Sequence, residues 1–543
     1  MIQKTIGDVL SDIAGKYPAR PAVIDARGSL TYRALDEQTD ELARGLVTQG
    51  VKYGSRVGVW AEDCGDTLQY FYAVWKLGAV LVPLCLGYTA QELCGCVQAA
   101  DLNSLLVGKG RDDSAAREAV ASLPDSVRVL WINEAETTKQ LRHAAKKVSG
   151  AVWETCRHAV RPDSADTILF TSGTTGAARP VVSVHLARVN LMVEQARMLD
   201  ATERDIFCSA LPTYHCFALT ANVLAAMSVG ACVCYPADRH GATILKTVEK
   251  HHCTILTAVP TLFSVLLRRM REGCYDISSL RAGLIGGSTY SPEFYRRLCR
   301  ELGYPVLPSL GQTEATAAIT AAFSTDSEEL RMRSVGRFVP GIEGSIRDVE
   351  TFRALPAGET GEICVRGYSV MRGYFRRPED TAAVIDAEGW LHTGDLGKMD
   401  AEGNVYYIGR KKEIIIRGGE NIAPSEIENL LLEDERVRLC KVIGVPDEHY
   451  IEAVCVCVAP QGALRADDVY ALLSGRLAAY KLPKYVLIMD ALPMTPSGKI
   501  DGKKLKAMAL ERIACRLLRG MREKNETNKS LVLRAHRRDR AAL

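Results

Sequence analysis

The chain has 543 residues, of which 47% are hydrophobic and 24% are charged, and its formal net charge is +3. This length exceeds what one hydrophobic core supports, so it predicts at least two domains. The composition is ordinary for a globular protein, and a net charge this close to zero excludes bulk electrostatic attraction to nucleic acid as the basis of function.

The chain contains 17 cysteines but no C-x-x-C spacing. In a β-strand, a spacing of two residues puts both thiols on one face. We interpret the cysteines as reduced, small hydrophobic core residues of a cytoplasmic protein rather than as disulfides or metal ligands. The closest pairs, which all have that spacing, are Cys94/Cys96, Cys232/Cys234 and Cys455/Cys457.

Two segments bear on membrane targeting. Met1–Thr5 lacks the charged-then-apolar order of a secretory signal. Phe217–Ala237 is uncharged and long enough to span a bilayer. However, Gly230 interrupts it, and Ala231–Tyr235 has the pattern of a buried strand. The segment therefore predicts a helix, a turn and a strand rather than a membrane span.

The first 130 residues alternate helical and strand patterns, such as a strand at Arg56–Trp60 and a helix at Leu68–Leu77. This alternation predicts βαβ units with a buried parallel sheet. The polar stretch Asn133–Asp166 indicates surface helix and loop. The alternation then resumes and continues to about Ala322.

From Gly336 to Ile408 the pattern changes to short strands, which indicates a small barrel or antiparallel layer with a hairpin turn at Asp400–Asn404. A further strand at Ile414–Ile416 and a helix beginning at Pro424 indicate a second domain. We expect an α/β fold with a large N-terminal domain of parallel α/β layers plus a small β-barrel, residues 1–410. A smaller, mobile α+β C-terminal domain follows, residues 411–515, and then a basic, disordered tail, residues 516–543.

One loop carries chemistry. Phe170–Pro180 reads FTSGTTGAARP, a Ser/Thr/Gly loop that follows an apolar strand and carries a cation at Arg179. Glycines let the backbone approach a ligand closely, and adjacent hydroxyl and N–H groups then converge on phosphate oxygens. It is not a Walker loop, because Gly173 and Gly176 are only three residues apart and no Lys-Ser/Thr pair follows.

Further clusters follow this loop in a fixed order, and together with it they resemble the adenylate-forming superfamily of acyl- and aryl-CoA synthetases, luciferases and peptide-synthetase adenylation domains. The resemblance covers roughly residues 1–515. The clusters are Leu211–Phe217, Gly286–Ser288, Leu310–Ala315, Gly389–Asp395, Gly409–Glu413 and Pro496–Ile500.

The resemblance implies a two-step ligase reaction. A carboxylate attacks the α-phosphorus of ATP to form an acyl-adenylate and pyrophosphate, and the thiol of CoA then displaces AMP. Mg²⁺ accompanies ATP, and the residues that match the family's nucleotide site are Thr171, Ser172, Gly173, Thr174, Thr175, Gly176, Arg179, Gly286, Gly287, Ser288, Leu310, Gly311, Gln312, Asp395 and Arg410.

Within that set the resemblance implies individual roles. Residues 171–176 would hold the β- and γ-phosphates, and Thr313 would contact the α-phosphate. Glu314 would bind Mg²⁺, while Asp395 and Arg410 would hold the ribose hydroxyls.

Two positions depart from the family's pattern. Pro180 replaces a flexible glycine with a residue of fixed φ, although Arg179 keeps the usual positive charge. Leu310 stands where an aromatic residue is usual, and it can cover one face of adenine without π stacking.

The remaining implied roles concern the acid and the thiol. His215 would lie near the acyl group, and Lys499 would bridge the substrate carboxylate and the α-phosphate. Lys412 would be the hinge about which the small domain turns. The turn Gly418 and Gly419 would then approach the CoA tunnel.

The acid predicted from Leu211–Leu219 is fatty or aryl and lacks an amine, because this segment has none of the acidic residues that bind an amino group in peptide-synthetase domains. Two alternatives stay open. The thiol acceptor could be a carrier protein instead of CoA, or the chain could be a non-catalytic AMP-binding homologue. Substrate-dependent pyrophosphate release separates the second alternative from a ligase.

Overall fold

The computed structural model describes residues 1–111, 114–171, 179–417, 420–447, 450–495 and 499–515. It divides into two compact units, Met1–Tyr407 and the part that begins at Ile408. The division lies close to the domain boundary predicted after residue 410. The expected α/β class, with a large first unit and a smaller second one, is confirmed.

The helices of the first unit alternate with its strands along the chain. The helices are α1 Ile6–Lys16, α2 Tyr32–Thr48, α3 Gly65–Lys76, α4 Ala90–Ala99, α5 Ser114–Ala121, α6 Ala135–Ala145, α7 Gly150–Ala159, α8 His185–Met198, α9 Cys216–Ala218, α10 Ala225–Val229, α11 Gly241–His251, α12 Pro260–Glu272, α13 Pro292–Leu302, α14 Glu328–Arg333 and α15 Pro378–Ala382. The strands are β1 Pro21–Asp25, β2 Gly28–Thr31, β3 Arg56–Trp60, β4 Val80–Pro83, β5 Ser104–Val107, β6 Arg128–Trp131, β7 Ala165–Thr171, β8 Arg179–Val184, β9 Ile206–Cys208, β10 Cys232–Cys234, β11 Ile255–Leu256, β12 Leu284–Gly286, β13 Leu307–Gly311, β14 Ala318–Ala321, β15 Arg337–Phe338, β16 Ile342–Arg347, β17 Gly361–Gly367, β18 Gly373–Tyr374, β19 Leu391–Met399 and β20 Val405–Arg410.

These strands form a seven-stranded sheet, a five-stranded sheet and two four-stranded sheets. The largest has the order β18-β8-β7-β4-β3-β5-β6. Its β3, β4, β5 and β6 pair in parallel, as the alternating pattern predicts. The orders of the other sheets are β11-β9-β10-β1-β2, β12-β13-β14-β15 and β16-β17-β19-β20.

The region from residue 336 onward forms the expected antiparallel layer, with β16, β17 and β19 paired antiparallel. The turn between β19 and β20 is the hairpin turn predicted at Asp400–Asn404. The Asp400 carboxylate accepts the N–H groups of Glu402 and Asn404 at 3.1 and 2.8 Å, which closes the turn.

The second unit is a smaller α+β layer. Its strand order is β22-β21-β24-β23, with β25 parallel to β24. The helix predicted at Pro424 is present, with the proline in its first turn. The elements are α16 Pro424–Leu432, α17 Ala466–Leu473, β21 Ile415–Arg417, β22 Glu420–Ile422, β23 Val437–Asp447, β24 Ile451–Pro460 and β25 Tyr485–Ile488.

The uncharged stretch Phe217–Ala237 folds as a broken helix followed by β10. α9 leads into a π-helical turn at Leu219–Leu224, then into α10, and Gly230 ends the helix with φ +82°. Across the described ranges, no helix has the length and hydropathy that a membrane crossing requires.

Two expectations are wrong in detail. Cys94 and Cys96 lie on α4, not on a strand, because Thr89 and Glu92 form a capping box that starts a helix there. Cys96 is buried and Cys94 is half-buried. The sequence pattern predicts that Asp166 ends the polar surface stretch Asn133–Asp166, but it is fully buried in β7. The other two close cysteine pairs lie buried on β10 and β24 as expected, and within the described residues, which include all 17 cysteines, none forms a disulfide.

Candidate active site

Three of the predicted clusters meet at the carboxyl ends of β12 and β13. These strands are parallel neighbours, and Gly286 is paired with Ser309. A Cβ atom at Gly286 would lie 2.6 Å from the Ser309 carbonyl oxygen and 3.8 Å from the ring of Phe217. The close approach of the Ser309 carbonyl leaves room only for glycine, and the Phe217 ring, in the segment after His215, lies beside it. Crevices at such strand ends are the usual ligand sites of α/β sheets.

Thr313 and Glu314 lie in a short 3₁₀ turn, Thr313–Ala315, directly after β13. The Thr313 hydroxyl donates to the sulfur of Cys216 at 3.7 Å. Thus the segment that follows His215 also contacts the predicted α-phosphate residue. The residue predicted to contact the α-phosphate, Thr313, therefore lies next to the segment predicted to lie near the acyl group.

Glu314 is oriented by a residue that sequence reasoning missed. The Tyr374 hydroxyl donates to Glu314 Oε1 at 2.9 Å, and the N–H of Met371 donates to the Glu314 carbonyl oxygen at 2.8 Å. Burial and the neighbouring Glu314 carboxylate raise the pKa of Tyr374, so it stays a neutral donor. The sequence Gly373-Tyr374 carries no signal of this role, because the contact joins residues 60 positions apart.

The same tyrosine connects Glu314 with the far side of the phosphate loop. The Arg179 guanidinium lies 5.3 Å from the centre of the Tyr374 ring and 3.8 Å from Asp380 Oδ1. β7 and β8 pair antiparallel, with Thr171 opposite Arg179. The two ends of the predicted loop are therefore adjacent to the predicted Mg²⁺ carboxylate. Ser172, Gly173, Thr174, Thr175 and Gly176 lie outside the described residues.

Replacing Tyr374 with phenylalanine tests the orientation of Glu314. A hydrogen bond to a charged group contributes roughly 1.5–3 kcal/mol. We therefore expect kcat/KM for MgATP to fall about 10-fold or more. Tyr368→Phe is the control, since among the described residues the Tyr368 hydroxyl donates to a backbone oxygen, that of Pro340, at 3.3 Å. Equal kinetic constants in the two variants would contradict the role of Tyr374.

Asp395 is 2% exposed on β19, where the pairing of β19 with β17 shifts register. The N–H of Asp395 donates to Thr393 Oγ1 at 3.1 Å, and the Thr393 hydroxyl donates to the Ile363 carbonyl oxygen at 2.6 Å. The N–H of Gly394 donates to Glu362 Oε1 at 2.8 Å. These bonds fix the backbone beside the predicted ribose carboxylate.

Leu310 is half-buried on β13 and packs against the apolar clusters that contain Ile319 and Ile363. Gly287 and Ser288, at the neighbouring strand end, are exposed. That Leu310 faces the adenine of ATP stays a prediction.

Leu310→Tyr tests that prediction. If Leu310 covers adenine, an aromatic ring adds stacking, so the KM for ATP should fall about 3- to 10-fold while the KM for the acid stays unchanged. Steady-state kinetics and the melting temperature should be measured on the same preparation. An unchanged or raised KM for ATP in a well-folded variant would mean that Leu310 does not face the base.

His215 precedes α9 and is half-buried, with its ring 5.7 Å from that of Tyr214. The helix it leads into contains the π-turn, a feature that is frequent at functional sites. Beside it, Leu211, Ala218 and Val259 form a small apolar cluster.

Asp63 is a second residue that sequence reasoning missed. Its carboxylate accepts the N–H of Thr213 at 3.0 Å, bonds the Thr213 hydroxyl, and forms an ion pair with Arg239. An acidic group therefore reaches the Leu211–Leu219 segment from the loop after β3. Its charge is already compensated by Arg239.

The remaining predicted residues lie in the second unit. Arg410, Lys412 and Lys499 are exposed. Lys499 is fixed at its backbone, because its N–H donates to Thr495 Oγ1 at 3.2 Å and its carbonyl oxygen accepts the N–H of Thr495 at 2.7 Å. Lys412 lies in a 3₁₀ turn between β20 and β21. Gly418 and Gly419 are outside the described residues.

Comparison with known proteins agrees with this geometry. Residues 10–375 match the AMP-binding enzyme family, and residues 426–499 match the AMP-binding enzyme C-terminal domain. YngI of Bacillus subtilis, provisionally named an acyl-CoA synthetase, is 33% identical over 94% of this chain and 98% of its own. Human mitochondrial medium-chain acyl-CoA ligase ACSF2 is 28% identical over 93% of this chain and 87% of its own.

The fold also matches solved structures. O-succinylbenzoate CoA synthetase (MenE) of Bacillus subtilis, solved with ATP and magnesium ion, is 26% identical with a TM-score of 0.80. The match covers 93% of this chain and all of that one (100%).

Proposed function

We propose that this chain acts on a fatty or aryl acid that lacks an amino group. It belongs to the AMP-binding enzyme family of adenylate-forming proteins and is an ATP-dependent carboxylic acid:CoA ligase. As an acid–thiol ligase it uses Mg²⁺ with ATP, and CoA as co-substrate. AMP and pyrophosphate are released.

The observation that carries the proposal is the convergence of Phe217, Gly286 and Thr313 at the ends of β12 and β13, with Glu314 oriented by Tyr374. In the first half-reaction, Thr313 donates to the α-phosphate, and Lys499 bridges it to the acid carboxylate. Cations and donors are needed there because both reactants are anions. Thr171, Arg179 and the loop between them hold the other phosphates.

Glu314 fits a magnesium role. It is a hard oxygen ligand, it is only half-buried, and one carboxylate suffices because Mg²⁺ keeps waters and takes phosphate oxygens. Tyr374 occupies Oε1 and so leaves Oε2 for the ion. When bound, the ion neutralises phosphate charge.

The nucleotide's remaining parts have their own residues. Gly286–Ser288 and Leu310–Gln312 pass the adenine, and Asp395 and Arg410 hold the ribose hydroxyls. For the second half-reaction the small domain turns about Lys412, which withdraws Lys499 and brings Gly418 and Gly419 to the CoA tunnel.

The choice of acid rests on the surroundings of His215. The neighbouring side chains of Leu211, Phe217 and Val259 are apolar, and Asp63, a carboxylate that reaches the segment, is paired with Arg239. No uncompensated anion among them could hold an ammonium group. We also place the enzyme in the cytoplasm, a proposal supported by the 17 cysteines, none of which forms a disulfide in the described residues.

A matched pair of acids tests this proposal. Octanoate and 8-aminooctanoate differ only in the terminal amine, and benzoate and hexadecanoate extend the panel. With ATP, Mg²⁺ and CoA, we expect pyrophosphate release and acyl-CoA from octanoate at least about 10-fold faster than from the amino acid, since burying an unpaired ammonium is costly. Preference for 8-aminooctanoate would contradict the assignment.

The two alternatives are resolved by the same assay. Thioester formation on a pantetheinylated carrier protein but not on CoA would identify a carrier-protein ligase. Absence of pyrophosphate release with every acid would identify a non-catalytic homologue.

A further inference from the structure

Glu362, Cys364 and His392 form a cluster beside the backbone that carries Asp395, and none of the three has a role in the ligase reaction proposed above. Glu362 and Cys364 are two residues apart on β17, so their side chains share one face. His392 lies directly opposite Cys364 on β19. Their ligand atoms all lie within 4.8 Å of one another. Two strands thus bring a thiol, an imidazole and a carboxylate to one point.

Two distances within this cluster fit a metal site as well as hydrogen bonds. His392 Nδ1 lies 3.5 Å from Cys364 Sγ and 3.4 Å from Glu362 Oε2. The second distance is long for an N–H···O bond, and a single ring nitrogen faces both groups. Tetrahedral zinc, with Zn–S of about 2.3 Å and Zn–N and Zn–O of about 2.0–2.1 Å, puts N and S about 3.5 Å apart and N and O about 3.4 Å apart.

The surroundings supply the outer contacts that orient metal ligands. Glu362 Oε1 accepts the N–H of Gly394 at 2.8 Å, which leaves Oε2 directed at His392. On the other side of the ring, His392 Nε2 lies 3.4 Å from Asp386 Oδ2. A carboxylate on the second nitrogen of a ligating histidine fixes its orientation and raises its basicity.

Burial and access also fit. The side chain of Glu362 is 5% exposed and that of His392 is 13% exposed, so water competes little for the ligands. The half-buried Asp386 and the exposed ring of Phe352, 5.0 Å from the imidazole, mark the side that faces solvent.

We propose that Cys364 Sγ, His392 Nδ1 and Glu362 Oε2 bind a zinc-class divalent ion, with a water as the fourth ligand and Asp386 as the outer partner of His392. Soft thiolate and imidazole ligands select this class over Mg²⁺. The Cys364 thiol proton goes to solvent on binding. The site is separate from Glu314, and its occupancy does not depend on the ligase function.

The test uses the full-length protein, stripped by a chelator and titrated with Zn²⁺ and with Co²⁺. Equilibrium dialysis with metal analysis should find one more bound Zn²⁺ per chain in the wild type than in Cys364→Ala or His392→Gln. The Co²⁺ form should show a thiolate-to-metal charge-transfer band that Cys364→Ala abolishes. Cys232→Ala is the matched control, because Cys232 is also a buried strand cysteine, and it should behave as the wild type.

Asp386→Asn provides a graded second variant. The Asp386 Oδ1 atom accepts the N–H groups of Glu388 and Trp390, both at 2.9 Å, and asparagine can keep those bonds. The charge and the acceptor oxygen facing His392 are lost, so zinc affinity should fall about 10- to 100-fold at unchanged stoichiometry. Equal metal content in the wild type and Cys364→Ala, with both folded, would show that the cluster is only hydrogen-bonded and overturn the proposal. A Co²⁺ charge-transfer band that persists in Cys364→Ala would overturn it as well.

Discussion

Lys499→Ala is expected to lower the rate of acyl-adenylate formation by about 10²–10³-fold or more. Lys499 is the cation predicted to bridge the acid carboxylate and the α-phosphate, and removing one preorganised electrostatic contact in an active site costs about that much in rate. Acid-dependent pyrophosphate release measures the effect. Lys503→Ala is the control, because Lys503 is an exposed lysine of the same unit.

The second half-reaction distinguishes a positioned cation from a structural one. Thioester formation from supplied acyl-adenylate and CoA should change far less in Lys499→Ala, because the proposed rotation about Lys412 withdraws Lys499 in that step. An equal loss in both half-reactions would contradict the two-conformation account.

Asp166→Asn is expected to lower the free energy of unfolding by about 3–5 kcal/mol, the cost of breaking a buried ion pair by removing one partner. Asp166 and Arg188 are both fully buried and paired, and the Ser183 hydroxyl donates to Asp166 Oδ1 at 2.7 Å. The variant leaves the Arg188 charge uncompensated. Denaturant unfolding measures the change.

Asp163→Asn is the matched control. Asp163 forms an ion pair with Arg161 in which both side chains are 73% exposed, so its loss should cost less than about 0.5 kcal/mol. Similar losses in the two variants would contradict the assigned importance of the buried pair.

The same pair has a pH dependence of known sign. Burial opposes ionisation of Asp166, but Arg188, His185 and Ser183 together lower its pKa below the ordinary value of 3.8. A lowered folded-state pKa gives stability that is complete above the unfolded-state pKa and is lost as the pH falls through the folded-state value. The difference in free energy of unfolding between the wild type and Asp166→Asn should therefore be complete above about pH 4 and decrease below it.

Much of the fold could be predicted because the patterns are local. The apolar run Arg56–Trp60, the alternation around it and the turn at Asp400–Asn404 each depend on neighbouring residues, and each has the predicted structure. The pair Cys94/Cys96 shows the limit. Its spacing is compatible with a strand, but the capping box formed by Thr89 and Glu92 starts a helix there.

The parts that could not be predicted depend on contacts between distant residues. Asp166 looks like a surface residue until Arg188 is seen beside it, and Tyr374 gains its role only through Glu314. For the same reason, Asp63 could not be connected with Thr213. Motif order predicted roles for Thr313 and Glu314, but Tyr374, which contacts Glu314, carries no motif.

The fate of the carboxylate oxygen tests the ligase mechanism most directly. Octanoate labelled with oxygen-18 in both carboxylate oxygens is incubated with the enzyme, ATP, Mg²⁺ and CoA, and the products are analysed by mass spectrometry. Since the carboxylate attacks the α-phosphorus and the thiol then displaces AMP, one labelled oxygen should appear in AMP and the other should remain in octanoyl-CoA. Unlabelled AMP, or formation of ADP with labelled inorganic phosphate, would contradict the acyl-adenylate route.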